Sequence, residues 1–209
     1  MKDPYLYPNS DTLKNLLGVT NENDLNHIEA DYTSLRIKEH LDTPISGFFD
    51  FDHLCRMHFQ FFQDIYDWAG KIRIINIEKP EDALSGLSVE YTDVFDIVRH
   101  VESVLSKMKS VSWNSFSIDD KAITFSGHMA ELWKVHPFRE GNTRTIVTFC
   151  CDYAYEHGFP LNRDLFKDNS VYVRRALVAA SAYFKDLGDK RKPEFLENFI
   201  KDAIQRKQV

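Results

Sequence analysis

The chain has 209 residues, 43% of them hydrophobic and 13% aromatic, enough to bury one substantial core. A formal net charge of −6 excludes a protein that coats nucleic acid through many Lys and Arg contacts to phosphate, while leaving room for a local basic pocket. The three cysteines, Cys55, Cys150 and Cys151, lack metal-ligand spacing, the opening residues carry no apolar signal core, and no stretch approaches a bilayer span, so reduced thiols, cytoplasmic residence and no membrane partner are expected.

In chain order, residues 5–11 form an aromatic, proline-punctuated arm, after which Ser10 or Asp11 is expected to cap a short helix carrying Leu13, Leu16 and Leu17 and ended by Gly18. A second helix starts at Asn23 or Asp24, with Leu25, Ile28, Tyr32 and Leu35 as its apolar face, and closes before Pro44. Asp50 caps a third, in which Phe51, Leu54, His58, Phe61, Phe62 and Ile65 recur at helical spacing; His58 there is read as a packed histidine bonded to backbone, and His40 and His53 likewise. Residues 71–77 then alternate partly at a period of two and are β-branched. Pro80 and Gly86 supply a turn before residues 87–91 return, which predicts a small β-hairpin.

Val94, Ile97, Val98, Val101, Val104, Leu105 and Met108 give the cleanest helical face of the chain. Ser117 with Asp120 resembles a capping box opening a helix that carries Ala122, Met129, Leu132 and Trp133 and runs to His136. Pro137 disfavours the α conformation at His136, so the imidazole is expected at a helix C-terminus facing a loop. Gly141 frees the backbone to turn, and from about Asn142 a new helix shows Ile146, Phe149, Cys150 and Tyr153 at i, i+3, i+4, i+7. Its unpaired first-turn amides make an anion site, with Arg144 able to add a guanidinium, Glu140 able to offer oxygen to a hard cation, and His136 left as a proton acceptor. Local physics also allows a plainer reading of the same residues as a helix stop, a turn and a solvated Arg139–Glu140 pair. Gly158 and Pro160 stop the motif helix. Asn169 or Ser170 caps one rich in Ala176, Ala179, Ala180 and Ala182 that would permit close packing beside the site or leave room for a ligand ring, and Pro193 opens a last helix with Phe195, Leu196, Phe199 and Ile200 as its stripe. No repeat or linker divides the chain. An all-α single domain over 1–209 is expected: an arm and helices over 1–45, a core over 46–188 and a C-terminal helix over 189–209.

The stretch His-Pro-Phe-Arg-Glu-Gly-Asn-Thr-Arg at 136–144 resembles the signature of the Fic family of nucleotidyl transferases, His-x-Phe-x-(Asp/Glu)-Gly-Asn-Gly-Arg-x-x-Arg. It departs from that signature at Thr143, where the family has Gly, and at Val147, where it has a second Arg. The Tyr-Pro arm and the Tyr-Asp-Trp-Ala-Gly-Lys-Ile-Arg segment at 66–73 carry weaker likeness. The resemblance implies a compact helical Fic-like fold with a hairpin flap near the active-site loop. It further implies transfer of AMP from ATP, with Mg²⁺, to a Ser, Thr or Tyr hydroxyl of a protein target, which the chain itself could supply, and release of pyrophosphate.

Under it His136 is the catalytic base, Glu140 the metal carboxylate, and Arg139, Gly141, Asn142, Thr143 and Arg144 the nucleotide-binding set. Phe138 anchors the loop, and Ile77, Glu78 and Lys79 form the flap edge that docks the target by strand addition. Thr143 keeps its amide but brings a branched side chain that could crowd the site, and Val147 loosens control of the triphosphate. Family members are often restrained by a helix of pattern (Ser/Thr)-x-x-x-Glu-(Gly/Asn). Pro193-Glu-Phe-Leu-Glu197-Asn198 fits it except at its first residue, so Glu197 and Asn198 are regulatory candidates, with an ordinary amphipathic helix as the alternative. A non-catalytic nucleotide-binding or docking module, a related phosphate-group transferase and a de-AMPylase are the rival readings, and oligomeric state stays open.

Overall fold

The computed structural model describes residues 3–206, and among them eight α-helices and one two-stranded hairpin are formed. The helices are α1 (Glu22–Asp42), α2 (Phe51–Phe62), α3 (Ile97–Ser110), α4 (Ile118–Val135), α5 (Asn142–Glu156), α6 (Arg163–Asp168), α7 (Ser170–Ala180) and α8 (Glu194–Gln205). α4 lies at the centre, packed on α3, α5, α7 and α8, while α2 backs onto α1, α3 and α5. That arrangement follows from side-chain pattern: Phe125, Met129, Leu132 and Trp133 of α4 and Ile146, Phe149 and Cys150 of α5 are wholly buried. The caps of α2 and α4 form as expected, with Asp50 accepting from the His53 amide and Ser117 from the Asp120 amide, whereas Asn169 at the start of α7 makes no side-chain cap bond. The helical architecture is the one expected, while its small hairpin lies outside the segment expected to form it.

Four local expectations are corrected. Residues 10–18 form no helix. Asn15 instead organises a loop, its side chain donating to the carbonyls of Leu13 and Val19 and accepting from the amides of Leu17 and Val19, while Leu16 and Leu17 stay exposed. α1 starts at the Asn21 cap and turns a polar face inward: Glu29, Thr33 and His40 are buried, whereas Tyr32 and Leu35 are exposed. Partners distant in sequence explain this, since Glu29 accepts from Tyr66 and Arg144, Arg36 pairs with Asp64, and His40 Nε2 lies 2.7 Å from Asp152 Oδ2.

The expected hairpin over 71–91 is a loop with the single bridge Pro80↔Ser88 and a 3₁₀ turn at Asp82–Leu84; the two-stranded pair is β1 (Tyr183–Phe184) with β2 (Gly188–Asp189). The period-two reading of 71–77 is inverted, because Arg73 is buried at 1% exposure while Ile74 is 68% exposed. Of the two expectations for the alanines of α7, close packing is the one met: Ala176, Ala180 and nearby Ala182 are buried.

Candidate active site

α4 ends at His136, held in the left-handed region at φ +50, a conformation that L-residues adopt only when their surroundings impose it. The surroundings are explicit. The His136 amide donates to Trp133 O at 3.1 Å, and its carbonyl accepts from Arg73 Nε at 2.8 Å. Its ring stacks on Tyr91 with centroids 4.1 Å apart and meets Trp133 edge-on. Arg73 is a buried cation whose donors end on carbonyls of His136, Ile75 and Thr92, and its own amide donates to Pro137 O. It is therefore a clamp on the His-Pro corner.

The imidazole Nδ1 lies 3.3 Å from the carbonyl of Trp133. A carbonyl only accepts, so Nδ1 carries the hydrogen and Nε2 is left as the basic nitrogen. Burial first, and the Lys79 ammonium second, push the imidazole well below the ordinary histidine range, so it is neutral and able to take a proton at neutral pH.

Beyond Pro137 the loop is fixed by its own residues. Phe138 is fully buried and stacks on His58 at 3.8 Å, and His58 stacks in turn on Phe62 at 4.6 Å. His58 accepts from the Gly70 amide at Nδ1 and donates from Nε2 to Glu140 O at 3.0 Å; burial pushes it down to about 3, so it is a neutral structural bridge, as its spacing suggested. Asn142 departs from expectation in detail. Its side chain clasps the Phe138 backbone on both sides, Oδ1 accepting from the amide at 2.9 Å and Nδ2 donating to the carbonyl at 2.8 Å, so only its backbone amide is free to meet a ligand.

Gly141 enters α5 at φ +79, and the amides of Asn142, Thr143 and Arg144 donate to no protein acceptor among the described residues. Those three amides, at the positive end of a 15-residue helix, form an anion cradle. They border a cavity of about 260 Å³ lined by His136, Glu140, Gly141, Asn142, Thr143, Arg144, Ser170, Val171 and Arg174.

Arg144 is already engaged, donating to Thr33 and Glu29 of α1 and lying over the Phe62 ring at 4.9 Å. Thr143 does not crowd the cradle as feared: its hydroxyl accepts from Trp133 Nε1 at 2.9 Å and lies 3.4 Å from Arg174 Nη1, which ties the side chain to the wall. Val147 lines a groove between α1 and α5–α7 that shares Thr143, Arg144 and Ser170 with the cavity.

Three further expectations meet a different geometry. Arg139, grouped with the nucleotide ligands, instead binds Asp3 of the N-terminal arm at 2.8 Å and does not line the cavity. Lys79 turns its side chain into the site, 2.7 Å from Glu140 Oε2, and its amide is spent on Ser88 Oγ at 3.0 Å, which removes that donor from strand addition; Ile77 and Glu78 lie in the same bridge-poor loop. Glu197 and Asn198 sit on α8, which packs on α4 and α7 and contributes no residue to the cavity lining. Glu197→Gly is accordingly expected to leave transfer activity within about twofold of the parent, since surface changes remote from a site act weakly; a tenfold gain in an AMP-labelling assay would show that α8 does restrain the site.

Tyr91, Arg73, Arg174 and Glu29 are site residues that sequence reading missed. Each comes from a segment far from the signature, and only the two consecutive arginines of α7, at 174 and 175 among apolar neighbours, hinted at a role.

A helical fold that presents a neutral imidazole beside a cavity bordered by free helix-start amides, with a carboxylate and guanidinium groups in its lining, has the groups an anionic ligand would meet. The Fic/DOC family model matches residues 48–154. The chain is 33% identical over 165 residues to protein adenylyltransferase VbhT of Bartonella schoenbuchensis, covering 78% of this chain and 33% of that one, so it spans about a third of that relative's length. It is 30% identical over 171 residues to the probable protein adenylyltransferase y4lH of Sinorhizobium fredii, covering 78% of this chain and 80% of that one. The N-terminal FIC domain of the Bep8 effector from Bartonella sp. 1-1C superposes with a TM-score of 0.76 at 21% identity, covering 96% of this chain and 94% of that one. The chain belongs to the Fic/DOC family.

Proposed function

We propose that the protein is an adenylyltransferase that moves AMP from ATP to a hydroxyl of a protein. The single observation that carries this reading is the basic nitrogen of His136 bordering the same cavity as the free amides of Asn142, Thr143 and Arg144. The two relatives named above are adenylyltransferases by name, one of them a probable one, and support it. The attacking hydroxyl oxygen forms a bond to the α-phosphorus, the bond from that phosphorus to the α,β-bridging oxygen breaks, and pyrophosphate leaves with the electron pair. His136 takes the hydroxyl proton, and the cradle amides meet the negative charge that builds on the phosphate oxygens. Arg144 binds the triphosphate from the side of α1.

Glu140 is the residue that would hold Mg²⁺. Its carboxylate fits the part: burial works to raise it, yet the Lys79 ammonium and the Gly141 amide hold it well below the usual range, so it is an ionised oxygen donor already drawing a cation to Oε2. The ion when bound would neutralise phosphate charge. The acceptor is a Ser, Thr or Tyr of a partner protein or of the chain itself, and cytoplasmic residence accompanies this reading; among the described residues no helix is long and apolar enough to cross a membrane.

Incubation with Mg-ATP carrying label on either the α- or the γ-phosphate tests the reaction class. Label is expected in protein only from the α-position, with a mass gain matching AMP. Incorporation from the γ-position would make the protein a phosphotransferase instead.

A further inference from the structure

The loop beside the cavity is tied to two of its lining residues by ion pairs of opposite sense. Lys79, on the loop, reaches Glu140 at 2.7 Å, and Glu81, two residues on, accepts from Arg174 of α7 at 2.6 Å. Both loop residues are largely covered, with 19% of the Lys79 side chain and 10% of the Glu81 side chain exposed. The backbone around them is braced by the Lys79 amide on Ser88 Oγ and by the Glu81 amide on Leu87 O, so the two side chains are aimed inward by the loop itself. Arg144 has its own carboxylate in Glu29. Both guanidinium groups that line the cavity rest on a carboxylate, as does the Lys79 ammonium that abuts the lining residue Glu140, so among the described residues an arriving polyanion meets no uncommitted positive charge there except the helix-start amides.

Of these cations Lys79 differs from the arginines in what it covers. Glu29 and Glu81 do not line the cavity, but Glu140 does, and it is the one carboxylate among the lining residues. An ammonium is a compact point charge on a flexible stem, able to swing between oxygens without the fixed geometry of a guanidinium. A divalent cation drawn to Glu140 must displace it. The same ion brings phosphate oxygens into reach of the freed amine, which is still tethered to a loop braced beside the cavity.

We propose that Lys79 is a nucleotide-binding residue that exchanges partners: it rests on Glu140 in the free protein and passes to a phosphate oxygen of the bound nucleotide when a divalent cation takes the carboxylate. This rests on the adenylyl-transfer reading of the cavity. The exchange makes cation and nucleotide help one another, because each removes a reason for Lys79 to stay where it is. It also gives the loop a chemical role distinct from docking a target by its main chain.

The consequence is a pair of effects with opposite signs. Lys79→Met removes the competitor for Glu140, so Mn²⁺ binding to the nucleotide-free protein, read from the electron paramagnetic resonance signal of free Mn²⁺, should tighten about fivefold. It also removes a phosphate ligand. Affinity for Mg²⁺ with α,β-methylene ATP, whose bridging carbon blocks loss of pyrophosphate, should weaken by about fivefold to tenfold by calorimetry. Lys79→Gln should repeat both signs, and thermal melts matching the parent would place both variants on the same fold.

Unchanged affinities would overturn the proposal, as would both tightening, which makes Lys79 a latch only, or both weakening, which makes it a structural support. A parent protein that binds neither ligand would instead sink the reading of the cavity as a nucleotide site, before any variant is compared.

Discussion

His136→Ala is expected to lower AMP transfer by about a hundredfold to ten-thousandfold in kcat/KM, the range for loss of a positioned general base, while affinity for Mg²⁺ with α,β-methylene ATP stays within about threefold. The split follows from the geometry. Alanine leaves the carbonyl of residue 136 for Arg73 Nε and leaves untouched the Asn142 clasp on Phe138 that sets the cradle amides. What is lost is the basic nitrogen, together with the ring's stack on Tyr91 and its bond to Trp133 O.

The pH profile of the parent carries the same signature. Burial and Lys79 depress the imidazole well below its ordinary value of 6.5, so the free protein keeps its base unprotonated on both sides of that value. kcat/KM should therefore stay flat as pH falls through the ordinary histidine range and drop only below it, once the ring takes its proton. An acid limb centred at the ordinary histidine value would mean that the ring is open to water and that the stack with Tyr91 does not hold in solution. Equal transfer by parent and alanine variant would remove His136 from the chemistry altogether.

The cradle could be read from sequence because it is contiguous. Proline after histidine, glycine before a helix start and a helical stripe from Ile146 to Tyr153 each act over a few residues, and the structure puts His136, Gly141 and the first turn of α5 where those rules place them. What escaped was decided at long range. The face of α1 was misread since hydrophobic spacing cannot register that Glu29 will meet Tyr66 and Arg144, or that His40 will meet Asp152. Arg73 reads as a solvent-side residue of a strand until its guanidinium finds the carbonyls of His136, Ile75 and Thr92.

For Lys79 the resemblance points to main-chain pairing, whereas the structure commits its amide to Ser88 Oγ and its ammonium to Glu140, because the loop's bracing depends on the turn at 81–86 and not on β propensity. For Asn142 the structure adds a side-chain clasp on Phe138 to the cradle position that the resemblance implies. For Glu29, His40, Arg73 and the Lys79 ammonium the missing information was the identity of a partner tens of residues away, which no local pattern encodes, whereas the Asn142 clasp closes on Phe138 four residues before it.

Gly141→Ala is the second large effect expected, and its origin is separable from chemistry. A Cβ at this position would come 2.2 Å from Phe62 Cζ and 2.4 Å from Cε2, while the backbone holds φ +79. Left-handed backbone alone costs an alanine about 1–2 kcal/mol. The clash adds to it, for the Phe62 ring cannot step aside: His58 stacks on one part of it and the Arg144 guanidinium lies over it at 4.9 Å. The variant should lose about 2–4 kcal/mol of stability in denaturant unfolding if the loop keeps its shape.

If the loop yields instead, the Asn142, Thr143 and Arg144 amides shift, and a displacement of about 1 Å at a positioning group costs on the order of a hundredfold in rate. Both routes cut transfer, and they are told apart by the second-site change Phe62→Leu, which clears the clash but not the backbone strain. Combined with Gly141→Ala it should recover part of the stability, at the cost of the ring beneath Arg144. A Gly141→Ala protein with parental unfolding midpoint and parental transfer rate would show that Phe62 does not abut the loop, and the anion cradle would then need another explanation for its shape.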